Sequence, residues 1–260
     1  MLREKMFIAE QFKNDVPFTD ISKFTLDKYH DQYYNVYQKG ALIGLCLDIK
    51  LRKLSKGTYG LRNLMLDLSE KFGKTKAFKD DELFEEITRM TYPEIGEFFD
   101  RYVKGSEKLP LTESFNDVGI RYMEEEAFED YSLGLTNENV GVAEVDGKSK
   151  LQISSTSDMN EMAKTLKFQE GDILLRINGD TIPDIGDEFP AFFQRQLASL
   201  DSAKTLSYTV FRKDASGENK PVELSGPVVK VKVTQRHSIS PLPTPTEEEL
   251  AIRNSWLGLE

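Results

Sequence analysis

The chain has 260 residues, which suffices for one large or two ordinary domains. A net charge of −10 argues against nucleic-acid binding, which needs a basic patch to neutralise phosphates. A single cysteine, Cys46, excludes an internal disulfide, and the longest apolar run, Gly40 to Leu47, is far short of the about 20 residues of a membrane span.

In chain order, Leu2 to Phe12 reads as the end of a helix with no clear start, as a piece of a longer chain would. Its charges and its lack of an apolar run do not fit a signal peptide. Pro17 to Asp20 predicts a turn, with Thr19 or Asp20 capping a short helix. A tyrosine patch follows at Tyr29, Tyr33, Tyr34 and Tyr37, expected as a half-buried surface. Gly40 and the apolar stretch Ala41 to Leu54 predict a central helix, with Gly40 and Gly44 on one face for a close backbone neighbour.

Leu61 to Phe72, ended by Gly73, predicts the next helix, and Asp80–Asp81 start another carrying Leu83, Phe84, Ile87 and Met90 inward. Thr91-Tyr92-Pro93-Glu94 has the pattern of a capping box with proline in the first turn. It opens a helix with Ile95, Phe98, Phe99, Tyr102 and Val103 buried, closed by Gly105. Pro110 stops helix. A strand is expected within Phe115 to Met123, a solvated charge run at Glu124 to Glu126, and a domain boundary between 110 and 131.

The remainder reads as mixed strand and helix. Gly141 to Ser154 predicts a hairpin around Asp146-Gly147. Asp158 to Leu166 is a short helix, and Gly171 to Ile182 two strands around Asn178-Gly179. Asp187 to Leu200 is a helix with Phe189, Phe192, Phe193 and Leu197 inward. Leu206 to Arg212 and Val228 to Val233 are strands, with a polar loop from Lys213 to Lys220. Pro241, Pro243 and Pro245 predict an extended linker from His237 on. Thr246 to Glu249 predicts a capping box for a last helix through Trp256.

The candidate chemistry is sparse. The only histidines, His30 and His237, fall in different predicted domains and form no His-Glu-x-x-His helix. Both read as ordinary surface or interface residues. Cys46 lies in the apolar helix with no partner histidine nearby, and no Gly-x-Ser-x-Gly elbow or glycine-rich phosphate cradle is present. The acidic pairs read as solvated charges on helix faces.

Tyr37-Gln38-Lys39-Gly40-Ala41-Leu42-Ile43-Gly44, followed by Leu47 to Arg52, resembles the corresponding helix of the glycyl aminopeptidase family. These are gluzincin metallopeptidases with a thermolysin-like catalytic domain and a C-terminal PDZ domain. The resemblance extends through Asp80 to Phe84 and Phe98 to Gly105. It implies that Tyr37 donates a hydrogen bond to the oxyanion of peptide hydrolysis. It also implies that the zinc ligands lie upstream, so that this chain is the C-terminal part of such an enzyme, binds no metal by itself and hydrolyses nothing alone.

Tyr131-Ser132-Leu133-Gly134-Leu135 and Phe168 to Gly179 resemble a PDZ domain of the bacterial protease type. That likeness implies that Leu133, Gly134 and Leu135 form a carboxylate-binding loop for peptide or protein C-termini.

The expectation is a multi-domain α and α+β protein. Residues 1–112 would form the helical part of a metallopeptidase catalytic domain, 113–130 a connection, 131–236 a PDZ-like sandwich or barrel with two helices, and 237–260 a linker and terminal helix. The implied parent is a zinc aminopeptidase removing N-terminal Gly or Ala, in the periplasm or cell envelope of a bacterium; the composition also fits the cytoplasm. The alternative is a non-catalytic, peptide-binding or structural module.

Overall fold

The computed structural model describes residues 2–13, 15–73, 76–145, 147–200 and 204–259. It divides into two units, the first of residues 1–126 with 235–260 and the second of 127–234. In chain order the helices are α1 (Leu2–Glu10), α2 (Phe18–Phe24), α3 (Tyr33–Leu54), α4 (Leu61–Lys71), α5 (Leu83–Met90), α6 (Pro93–Tyr102), α7 (Leu111–Asn116), α8 (Glu161–Leu166), α9 (Glu188–Ser199) and α10 (Glu247–Leu257). The strands are β1 (Ile120–Tyr131), β2 (Val140–Val145), β3 (Lys148–Ile153), β4 (Ile173–Ile177), β5 (Asp180–Thr181), β6 (Thr205–Lys213), β7 (Asn219–Pro227) and β8 (Lys230–Pro241).

The first unit is built around α3, which touches α1, α2, α4, α6, α7 and α10. Ile43, Cys46, Leu47 and Leu51 pack with Leu64, Ile87, Ile95 and Phe98, whereas Leu42 packs with Met6, Phe115 and Tyr122. Ile49 meets Val118 and Ile252 in a third cluster. Apolar residues on several sides of one helix demand neighbours on several sides, and α3 has them.

The helix begins eight residues before Ala41. A 3₁₀ turn at His30–Gln32 leads into it, and buried Asn35 donates Nδ2 to Gln32 Oε1 at 2.9 Å. No glycine or proline interrupts residues 33–39, so polar composition alone did not delay the start. Tyr37 therefore lies in the second turn of α3 and not at its beginning. Gly40 and Gly44 face side chains, not a backbone: a Cβ on Gly40 would come within 3.2 Å of the Phe18 ring, and one on Gly44 within 3.7 Å of Leu61.

Other local expectations divide. Helix α2 is capped by Pro17, with no side-chain cap from Thr19 or Asp20. Pro93 occupies the first turn of α6, but the Thr91 hydroxyl donates to the Ile87 carbonyl at 2.7 Å and makes no capping box. Pro110 does not halt a helix but starts α7. The box at α10 forms in full, with Glu249 N–H donating to Thr246 Oγ1 and Thr246 N–H to Glu249 Oε2. His237 is not a surface residue in a linker. It lies in β8, 2% exposed, with φ +51°.

In the second unit the sheet runs β2-β3-β4-β6-β7, all antiparallel neighbours, with β5 paired to β4. It is open, not a closed barrel: β2 and β7 are its edges. The β2–β3 hairpin keeps register from Val140–Ile153 to Val145–Lys148. Gly147 has φ +73°, while Asp146 lies outside the described residues. Asn178 and Gly179 both take left-handed φ, +50° and +87°, as a type I′ turn requires.

Strand β7 is unexpected: its first two residues fall in the predicted polar loop from Lys213 to Lys220 and the rest has no predicted element, since Pro221, Gly226 and Pro227 disguise it as turn material. The core joins Leu133, Ile153, Met162, Leu166, Leu174, Ile177, Phe192, Leu206 and Tyr208. Leu197 is exposed, contrary to expectation; buried Gln196 turns inward on α9 to join Asn178 Nδ2 and Asp180 Oδ2. Asp172, 1% exposed, accepts two 2.7 Å bonds from Arg212 and one of 2.8 Å from Gln169 N–H.

Candidate functional site

Tyr33 and Tyr37 stand one helical turn apart on the outer face of α3, the i, i+4 spacing that brings side chains together. Their hydroxyls are 3.1 Å apart and their rings 5.5 Å between centroids. Tyr34 packs edge-on against Tyr33. Tyr37 is 58% exposed, so its hydroxyl is open to solvent. A phenol is protonated at neutral pH in any case, and the hydrogen bond to Tyr33 raises the Tyr37 pKa further. Either hydroxyl can be the donor of this bond, and one of the two hydrogens is left to point outward. The pair is thus a hydrogen-bond donor facing solvent.

Lys39, two residues further on, points the other way. At about 100° per residue, neighbours two apart lie on opposite sides of a helix. Lys39 is 4% exposed, and its Nζ has no hydrogen-bond partner among the described residues. Burial lowers its pKa. It lines a cavity of about 270 Å³ within the first unit. Met6, Ala9, Leu42, Leu109 and Leu111 supply the apolar walls, and Glu10, Tyr122, Glu124 and His237 the polar ones beside Lys39 and the segment Ser106–Lys108.

The Tyr122 hydroxyl is 2.7 Å from His237 Nδ1, with the two rings stacked. Burial pushes the Tyr122 phenol up to about 12. Glu10 Oε2 lies 2.6 Å from Arg236 and 3.1 Å from His237 Nε2.

Other candidates stay apart. His30 is exposed, and its Nδ1 lies 3.3 Å from the Asp27 carbonyl. Cys46 is fully buried, and burial pushes its thiol to about 11, leaving no thiolate for catalysis at neutral pH. Among the described residues no group of three or more His, Cys, Asp or Glu side chains is placed to hold a metal ion. No helix among them is long and apolar enough to cross a membrane.

In the second unit, Leu133, Gly134 and Leu135 follow β1. Leu133 is buried, and its carbonyl accepts the Tyr208 hydroxyl at 2.8 Å. Gly134 has φ +82°, and a Cβ there would meet Ala163 at 3.2 Å, so only glycine fits. Its N–H donates to Ser132 Oγ at 3.0 Å, which in turn accepts from Asn160 Nδ2. Leu135 packs half-buried on the core.

No family model matches the chain. Neither does any curated protein. Among solved structures it is similar to an aminopeptidase N family protein from Idiomarina loihiensis, with 20% identity over 83% of this chain and a TM-score of 0.35. The match covers 35% of that protein, so this chain spans about a third of its length.

Sequence reasoning singled out Tyr37 but missed the cavity. Its members, Glu10, Lys39, Tyr122 and His237, are scattered over more than two hundred residues. The one local signal was a lysine on the apolar side of a helix.

Proposed function

We propose that this chain is the helical and PDZ-like part of a zinc-dependent aminopeptidase of the glycyl aminopeptidase type, removing N-terminal Gly or Ala. One observation carries the reading: the Tyr37 hydroxyl of the Tyr-x-Lys-Gly motif stands open to solvent, protonated and hydrogen-bonded to Tyr33. A phenol so held can donate its proton in a hydrogen bond to the oxygen that gains charge when a peptide carbonyl becomes tetrahedral.

The zinc that the resemblance implies does not fit the residues present. It needs three protein ligands held close, yet among the described residues no three such side chains come together, and His237 Nδ1 is engaged by Tyr122. The reading therefore gives this chain a hydrogen-bond donor and no metal chemistry. On the same reading the parent works in the periplasm or cell envelope, and residues 1–112 are the helical part of its catalytic domain.

The second unit is read as a PDZ-like peptide binder, with residues 131–236 as its span. Support comes from the open edge of β2 after the Leu133-Gly134-Leu135 loop, since an extended peptide can add as a strand to such an edge. This edge also favours the alternative of a binding module without catalysis.

The first check is the reading frame upstream of Met1, where a His-Glu-x-x-His supports the enzyme and its absence overturns it. In that longer enzyme, Tyr37→Phe is expected to lower kcat on glycyl and alanyl anilides by about 10²- to 10³-fold with KM little changed. An unchanged kcat removes Tyr37 from the mechanism. For the second unit, peptides with free C-termini should bind this chain and their amidated forms should not; equal binding rejects the carboxylate loop.

A further inference from the structure

We propose that the cavity of the first unit binds a small monocarboxylate with an apolar tail, its carboxylate paired with the Lys39 ammonium. The argument begins with charge. Besides Lys39 and His237, the charged residues of the lining are Glu10, Glu107, Lys108 and Glu124, and each has a partner. Glu10 faces Arg236 at 2.6 Å. Glu107 holds Arg101 at 2.8 Å, and Glu124 holds Lys108. Lys39 alone among the charged lining residues has no hydrogen-bond or ion-pair partner among the described residues. The uncompensated charge is therefore positive, and it lies inside.

A buried ammonium without a counter-charge is unfavourable, and an anion that reaches it removes the penalty. The lowered pKa of Lys39 has burial as its cause. The remaining walls choose the rest of the ligand. Met6, Ala9, Leu42, Leu109 and Leu111 give an apolar lining that a phosphate or sulfate would not use but an alkyl chain would. The volume of about 270 Å³ is at the small end of ligand pockets. It suits a short aliphatic acid and not a peptide. Tyr122 has its hydroxyl engaged by His237 and contributes its ring to the wall.

The test is isothermal titration of the full chain with acetate, butyrate and hexanoate at neutral pH, with hexanamide as the uncharged isostere. Affinity is expected to rise about threefold to fourfold per methylene from acetate to hexanoate. Hexanamide should bind at least tenfold more weakly than hexanoate. Lys39→Met, which keeps the length and apolar stem, should lose at least tenfold for hexanoate while retaining the wild-type circular dichroism. Leu109→Trp, which narrows the cavity without altering charge, should weaken hexanoate but leave acetate alone. The proposal fails if hexanoate does not bind, if hexanamide binds equally well, if Lys39→Met binds hexanoate as tightly as the wild type, or if affinity does not depend on chain length.

Discussion

Lys39 in the first unit and Asp172 in the second are both buried charges, and the fold treats them in opposite ways. Asp172 accepts a two-pronged grip from Arg212 and a third bond from the Gln169 amide. Both oxygens of the carboxylate are turned to use in fixing the loop before β4. Lys39 has an apolar wall, a cavity and no partner among the described residues. A buried charge with all its bonds made is part of the scaffold. One left unmatched beside open space marks a place where a ligand can complete the set.

The strongest way to break that contrast is to remove the grip on Asp172. Arg212→Leu leaves a buried carboxylate without its cation and should destabilise the second unit by about 3 kcal/mol, read as a lower urea midpoint. A loss below about 1 kcal/mol would mean that the pair is ornamental. In the first unit, Tyr122→Phe strips His237 Nδ1 of its 2.7 Å partner and should cost roughly 1–2 kcal/mol. Little change there would show that His237 is held by Glu10 alone.

Lys39→Met should move stability the other way, raising it by about 1 kcal/mol in the absence of ligand. The pH dependence carries the sign. Burial lowers the folded-state pKa of Lys39, so the unfolded chain holds the proton more tightly between that lowered value and the ordinary lysine value. The wild type should gain stability as pH rises through this window, and Lys39→Met should not show that gain. Glu10, Glu107, Lys108, Tyr122, Glu124 and His237 line the same cavity, so the comparison is the difference between the two proteins at each pH, measured by urea unfolding. Last, Thr246→Ala removes the cap of α10 and should cost about 1 kcal/mol by the same measurement, a reference for an ordinary surface bond.

What could be read from the chain alone follows how local the cause is. The α10 box, the Asn178-Gly179 turn and the buried stripe of α6 are set by residues within a few positions of each other, and all were legible. The start of α3 was not, because Tyr33 to Gln38 carry no apolar period strong enough to announce a helix. Strand β7 hid behind its prolines and Gly226. His237 is buried by Tyr122, more than a hundred positions away, and no spacing rule reaches that far. Of the candidate site, the exposed tyrosine was visible because a motif named it. The cavity behind it was not, because a lysine in a helix looks the same in the sequence whichever way it turns.

The division of the first unit into residues 1–126 and 235–260 bears on how the protein is made. The clusters that hold α3 draw on Ile239, Ile252 and Trp256, which leave the ribosome after the second unit. Residues 127–234 are complete before then, so the inserted unit is synthesised whole while its host still waits for its closing pieces. During translation the nascent helices of the host must remain unfinished, with greasy surface uncovered, until residues 235–260 emerge and seal them.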